Sequence, residues 1–226
     1  LERQLARSAT AEQRERLGSA QADFNRKIQE IQAGAAQQTE KDMPLQAVLA
    51  DNGASPEKKC LALEQLLANR ATAGNLLEQA AWYCAMAEQW ENAFAYAERF
   101  LAIKGRENGG RLGVGLLAPG LLRQTGRTEE ALSRLGRFVK DTRDPWYKGI
   151  ARSLLEQQPE QDLLDKTGES PDYLLTAHVA MAFWAEAGDR KKALRHYKEA
   201  LGSYMDDRIE YAFARQGIKR LRQLEE

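Results

Sequence analysis

Ala187-Gly188-Asp189-Arg190-Lys191-Lys192-Ala193-Leu194-Arg195-His196-Tyr197-Lys198-Glu199-Ala200-Leu201 is the stretch whose reading decides the fold. Gly188-Asp189 is a turn signal, and behind it Ala193, Tyr197 and Ala200 recur at steps of four and three. That spacing puts a small, a large and a small side chain on one helical face, with five cations and a glutamate on the rest. A single helix of this length is marginal in water, so the face must pack against a partner helix.

Copies of the same element lie at Thr125 to Val139, with Ala131, Leu135 and Phe138, and at Gln89 to Leu101, with Ala93. Weaker copies place Cys60 and Leu163 at the small position. The anchors Cys60, Ala93, Ala131, Leu163 and Ala193 stand 33, 38, 32 and 30 residues apart. The pattern resembles the tetratricopeptide repeat, a helical hairpin of about 34 residues. The resemblance spans roughly residues 43–204. It implies an all-α fold, an α-solenoid of about five hairpins.

The flanks complete that architecture. Leu17, Ala20, Phe24, Ile28, Ile31 and Ala35 form one apolar stripe over residues 1–38, a long helix that either packs on the body or joins a second copy in a homodimer. Residues 207–224 carry Ile209, Ala212, Phe213, Ile218 and Leu221 on one face and read as a closing helix that shields the last hairpin. Pro119 falls inside a first helix and is expected to kink or restart it. The glycines at 109, 110, 113 and 115 lack the Gly-Lys-Ser/Thr ending of a phosphate loop and read as a long inter-repeat loop. The arm over 159–168 is short for a repeat helix.

Composition removes several function classes. Lys plus Arg and Asp plus Glu are both 33, so no global field draws in nucleic acid. The longest apolar run, Gly113 to Leu122, is about half of what a bilayer requires, so no membrane insertion is expected within this chain. The chain opens at Leu1 without a charged-then-apolar leader, which is compatible with removal of a leader or an anchor, and the compartment, cytoplasmic or periplasmic, is left open.

Chemistry is sparse. His178 and His196 are the only histidines, lie on two helices of one hairpin and read as surface residues. A metal would need Glu186 and Asp189 beside them, and the spacing is not that of a metal motif. Cys60 and Cys84 read as small core fillers, Cys84 as a buried, unreactive thiol; sitting in consecutive hairpins, they are also placed to form a disulfide in an oxidising compartment. No cofactor is expected, and no enzyme. Trp146 and Tyr147 are either exposed anchors or inter-repeat core.

The resemblance instead implies a scaffold that holds a protein or peptide partner in a concave groove lined by first helices. Carried over position by position, the groove residues are Asn75, Glu78 and Trp82 in the second hairpin and Arg123 and Gln124 in the third. Lys148 and Arg152 follow in the fourth, His178 and Glu186 in the fifth. Arg123, Lys148 and Arg152 would form a basic strip suited to an acidic or carboxylate-bearing partner.

Overall fold

The computed structural model describes residues 26, 27, 29, 41–69, 73–103, 109–167 and 170–223. The chain divides into two compact units, Leu1–Ala50 and Asp51–Glu226. In the first, residues 41–50 are helical. The helix expected over residues 1–38, with its dimerisation alternative, lies almost wholly outside the described residues.

The second unit is all-helical, and among the described residues there is no strand. Its elements are α1 (Pro56–Asn69), α2 (Gly74–Met86), α3 (Trp90–Ala102), α4 (Gly109–Gln124), α5 (Thr128–Asp141), α6 (Pro145–Leu154), α7 (Glu160–Leu164) with a short 3₁₀ turn behind it, α8 (Pro171–Glu186), α9 (Arg190–Leu201) and α10 (Ile209–Gln223). From α1 to α7, and again from α8 to α10, each helix packs against the next in the chain.

The turns show why the hairpins recur. After α2, α4 and α6 the backbone enters the left-handed region at Glu88, Gly126 and Glu156. In each case the following N–H reaches five residues back: Gln89 N to Cys84 O, Arg127 N to Leu122 O and Gln157 N to Arg152 O, at 2.8 to 2.9 Å. This double cap satisfies carbonyls that a helix end otherwise leaves open and reverses the chain in few residues. At the start of α6, Pro145 takes the first helical position while the Asp144 carboxylate accepts from the N–H groups of Trp146 and Tyr147 at 2.9 and 3.1 Å.

Each anchor of the repeat pattern is buried: Cys60, Ala93, Ala131 and Ala193 completely, Leu163 nearly so. A small residue there lets the partner helix approach, and Leu135 and Tyr197 fill the space one turn on. In the second copy the sizes are exchanged, with Ala97 buried at the large position and Phe100 packed at the small one. Trp146 is buried and stacks on Tyr173 with ring centroids 4.9 Å apart, so it is core.

Four expectations change. The glycines of 109–115 do not form a loop: they are the first turns of α4, and the helix continues without interruption over Pro119. Gly115 and Gly120 sit where an added Cβ would collide with the rings of Phe138 and Phe183, so glycine here is close packing rather than loop chemistry. Of the two readings of Cys60 and Cys84, free core thiols give way to the disulfide, which joins α1 to α2 with Cα atoms 4.9 Å apart. The histidines are not on the surface; both are buried. The closing helix α10 packs on α9 as expected, but it also touches α8 and α2.

That last contact organises the core. α2 touches α4, α4 touches α8, α8 touches α10 and α10 returns to α2. At their centre Phe213 of α10 meets Trp82 edge-on at 5.3 Å and Phe183 at 5.0 Å. The inner faces of α2 and α8 are therefore covered by the chain's own last helix.

Candidate functional site

The nine expected groove residues divide into three groups. Trp82, His178 and Glu186 are turned into the molecule. Trp82 packs on Phe213. Glu186 accepts two hydrogen bonds from Arg220 of α10, at 2.5 and 2.8 Å, and one from the Tyr197 hydroxyl at 2.6 Å. Burial, then the neighbouring Glu186 carboxylate, pushes the Tyr197 hydroxyl well above its ordinary range. Glu186, Arg220 and Tyr197 fasten α10 to the α8–α9 hairpin.

Asn75, Glu78, Lys148 and Arg152 form the second group. Asn75 and Arg152 are exposed, and Lys148 is half-buried. Glu78 stands beside Gly110, where an added Cβ would meet its carboxylate. Burial raises its carboxyl pKa, and the charge of Glu210 raises it further.

His178 and His196 meet through their Nδ1 atoms at 3.0 Å. One of them carries the hydrogen and donates, the other accepts, which requires the acceptor ring to be unprotonated at that nitrogen. Glu160 approaches the far nitrogen of His196 at 3.3 Å. Burial lowers the pKa of His178, and it takes His196 down to about 4 against the opposing charge of Glu160. The carboxylates considered for a metal are occupied elsewhere, Glu186 by Arg220 and Asp189 by capping Lys192 N at 2.9 Å. Among the described residues the grouping with ligand-like spacing is Cys60, Glu64 and Cys84, and there the sulfurs are bonded to each other.

Arg123 and Gln124 form the third group, and they lead to a cavity. Both reach across to α8: Arg123 Nη1 donates to the Trp184 carbonyl at 2.8 Å and Gln124 Nε2 to the Phe183 carbonyl at 3.1 Å. The Arg123 guanidinium lies over the Trp184 indole, 4.4 Å from the ring centroid. Partial burial lowers its pKa, and Glu156 opposes that. Beside it opens a cleft of about 560 Å³ whose walls include Leu132, Ser153, Met181, Trp184 and Lys192. Lys148 and Arg152 do not line it, so the expected basic strip does not meet here.

The cleft exists because the fourth hairpin is short. α4 and α8 have 16 residues each, α6 has 10 and α7 has 5. At 1.5 Å per residue α6 is about 9 Å shorter than its neighbours, and α7 is only five residues long. α4 therefore touches α8 directly, and their last turns wall a cavity that a full hairpin would have filled. The short arm was visible in the sequence. Trp184 and Ser153 were not recognisable as its lining, because a tryptophan at a first-helix position reads as core.

No family model matches the chain, and no curated protein or solved structure matches it.

Proposed function

We propose that this chain is a protein-interaction module built from divergent tetratricopeptide-like hairpins, and that it holds a segment of a protein or peptide partner in the cleft beside the short fourth hairpin. One observation carries the reading. Arg123 is fixed at the mouth of a cavity of about 560 Å³, within the range of ligand sites, and no carboxylate among the described residues pairs with it. Two further features support it: the wall is apolar at Leu132, Met181 and Trp184, and these three side chains are carried on helices α5 and α8.

The inner faces of α2 and α8, which the family resemblance would nominate, serve α10 instead. The partner segment is therefore assigned to the hairpin ends.

The test is affinity capture from an extract of the source organism with the native chain and with Arg123→Glu immobilised in parallel. The reading expects a protein recovered by the native chain and lost with the variant. A set of captured proteins identical for the two, with the variant melting like the native chain, removes it.

A further inference from the structure

The cleft has polar capacity left unused. Arg123 gives Nη1 to the Trp184 carbonyl and one face to the indole. Its Nη2 points toward Gly188, where an added Cβ would stand 3.6 Å away. Among the described residues no carboxylate completes the fork. A second group is idle: Ser153 lines the cleft, is only 7% exposed, and its hydroxyl has no hydrogen-bond partner. A buried hydroxyl without a partner costs about 1–3 kcal/mol, so its persistence at a cavity wall is informative. The N-terminus of the 14-residue α5 also borders the space at Thr128, without a side-chain cap on its N–H groups.

The other charges in the walls are accounted for. Lys192 pairs with Glu160, which also faces His196. Asp189 caps α9. Glu156 is exposed at the rim. Three carboxylates around one guanidinium that has no carboxylate partner among the described residues disfavour a dianion such as a phosphate, whereas a single carboxylate has Arg123 and the α5 N–H groups to meet it. Leu132, Met181 and Trp184 supply apolar surface beside that point.

We infer that the cleft binds a carboxylate carried on an apolar body. This rests on the reading of the cleft as the binding place and adds the chemistry of what enters it. Such a group is either a free hydrophobic acid or an acidic side chain next to an apolar one in a peptide.

Three probes separate these sources: 3-phenylpropionate, its neutral amide, and the doubly blocked dipeptide N-acetyl-phenylalanyl-glutamyl amide, whose only carboxylate is the side chain. The readout is the indole N–H resonance of Trp184 in the ¹⁵N-labelled full chain, assigned with Trp184→Phe. At least one acid should shift that resonance saturably, and the neutral amide should bind about tenfold more weakly or worse, the loss expected for one charge-assisted hydrogen bond. Arg123→Met should weaken the acid by a similar factor and Arg152→Met should leave it unchanged. Tighter binding of the dipeptide assigns the group to a peptide, and tighter binding of phenylpropionate assigns it to a free acid.

The inference is overturned if neither acid moves the Trp184 resonance, or if amide and acid bind alike. The acid–amide comparison uses the unaltered chain, so it does not depend on how a variant folds. Capture of a partner through Arg123 without binding of either acid would sink this inference alone. Acid binding without any Arg123-dependent partner would sink the proposed function alone.

Discussion

The Cys60–Cys84 bond offers the most direct perturbation of this fold. It joins α1 to α2 across 24 residues of chain. In the chain-entropy treatment, closing a loop of that size removes about 11.6 cal/mol/K from the unfolded ensemble, or about 3.5 kcal/mol at 25 °C. Both sulfurs belong to residues with no exposed surface, and the bond packs in the same core as Ala81 and Ala93. Reduction therefore removes a constraint without exposing the site. Urea unfolding of the oxidised chain, the chain held in a dithiol reductant, and the Cys60→Ala/Cys84→Ala variant should show the last two destabilised by about 3.5 kcal/mol. For a unit of this size that is a drop in Tm of about 7–14 °C. Thiol titration of the unreduced, denatured chain should find no free cysteine. Two free thiols in that titration, or reduced and oxidised midpoints that coincide, would refute the reasoning, because either result means that the cross-link is not part of the native state.

Other consequences follow from single contacts. Arg220→Met leaves the Glu186 carboxylate buried without its cation and should cost about 3–5 kcal/mol in urea unfolding, with loss of the near-ultraviolet signal of the Trp82–Phe213 contact. Gly120→Ala places a Cβ into the Phe183 ring and should destabilise by about 1–3 kcal/mol, whereas Gly136→Ala in α5, where an added Cβ meets nothing within 4 Å, should stabilise by up to about 1 kcal/mol; thermal melts of the pair give opposite signs. The His178–His196 pair should make stability fall on acidification. With His196 at about 4 folded and near 6.5 unfolded, the unfolded chain binds more protons between those values, so its share of stability is present above 6.5 and is lost progressively as pH drops toward 4. Glu78 and Glu210, whose pKa values are raised by burial, act in the opposite direction on acidification. The measurement is therefore the difference in urea midpoint between the native chain and His178→Gln/His196→Gln from pH 7 to 4.5, which should shrink as the pH falls.

What the sequence made legible were the features with a local cause. Helical spacing placed Ala93, Ala131 and Ala193 on buried faces, and all three are fully buried. Turn residues marked the hairpin ends, although two of the three left-handed positions that cap α2, α4 and α6 are glutamates rather than glycines. Features with a distant cause were not legible. Amphipathicity says that α10 buries a face; it does not say that Phe213 reaches Trp82, 131 positions earlier. The glycines of α4 looked like a loop because glycine is a poor helix former, and only the rings of Phe138 and Phe183 explain their place in a helix. Arg123 was named as a residue of a groove lined by first helices; it lines the cleft at the fourth hairpin, and the basic strip it was to share with Lys148 and Arg152 does not form there.

That fourth hairpin links the closed core to the open cleft. A first helix as long as α4 and α8 would separate the two along their whole length and keep their inner faces apart. α6 is six residues shorter than either, and α4 and α8 meet directly. The inner face then becomes narrow enough for one helix, α10, to reach both α8 and α2. Narrowing the inside and shortening the fourth hairpin are thus one geometric event, and the same shortfall leaves the α4 and α8 ends exposed to each other around Arg123 and Trp184. Lengthening α7 by two turns of alanine-rich helix should accordingly fill the cleft, reduce binding of a carboxylate probe at Trp184, and leave the Arg220–Glu186 and Phe213–Trp82 contacts in place. Loss of those inner contacts together with the cleft would instead mean that the gap is maintained by the core and not by the missing turns.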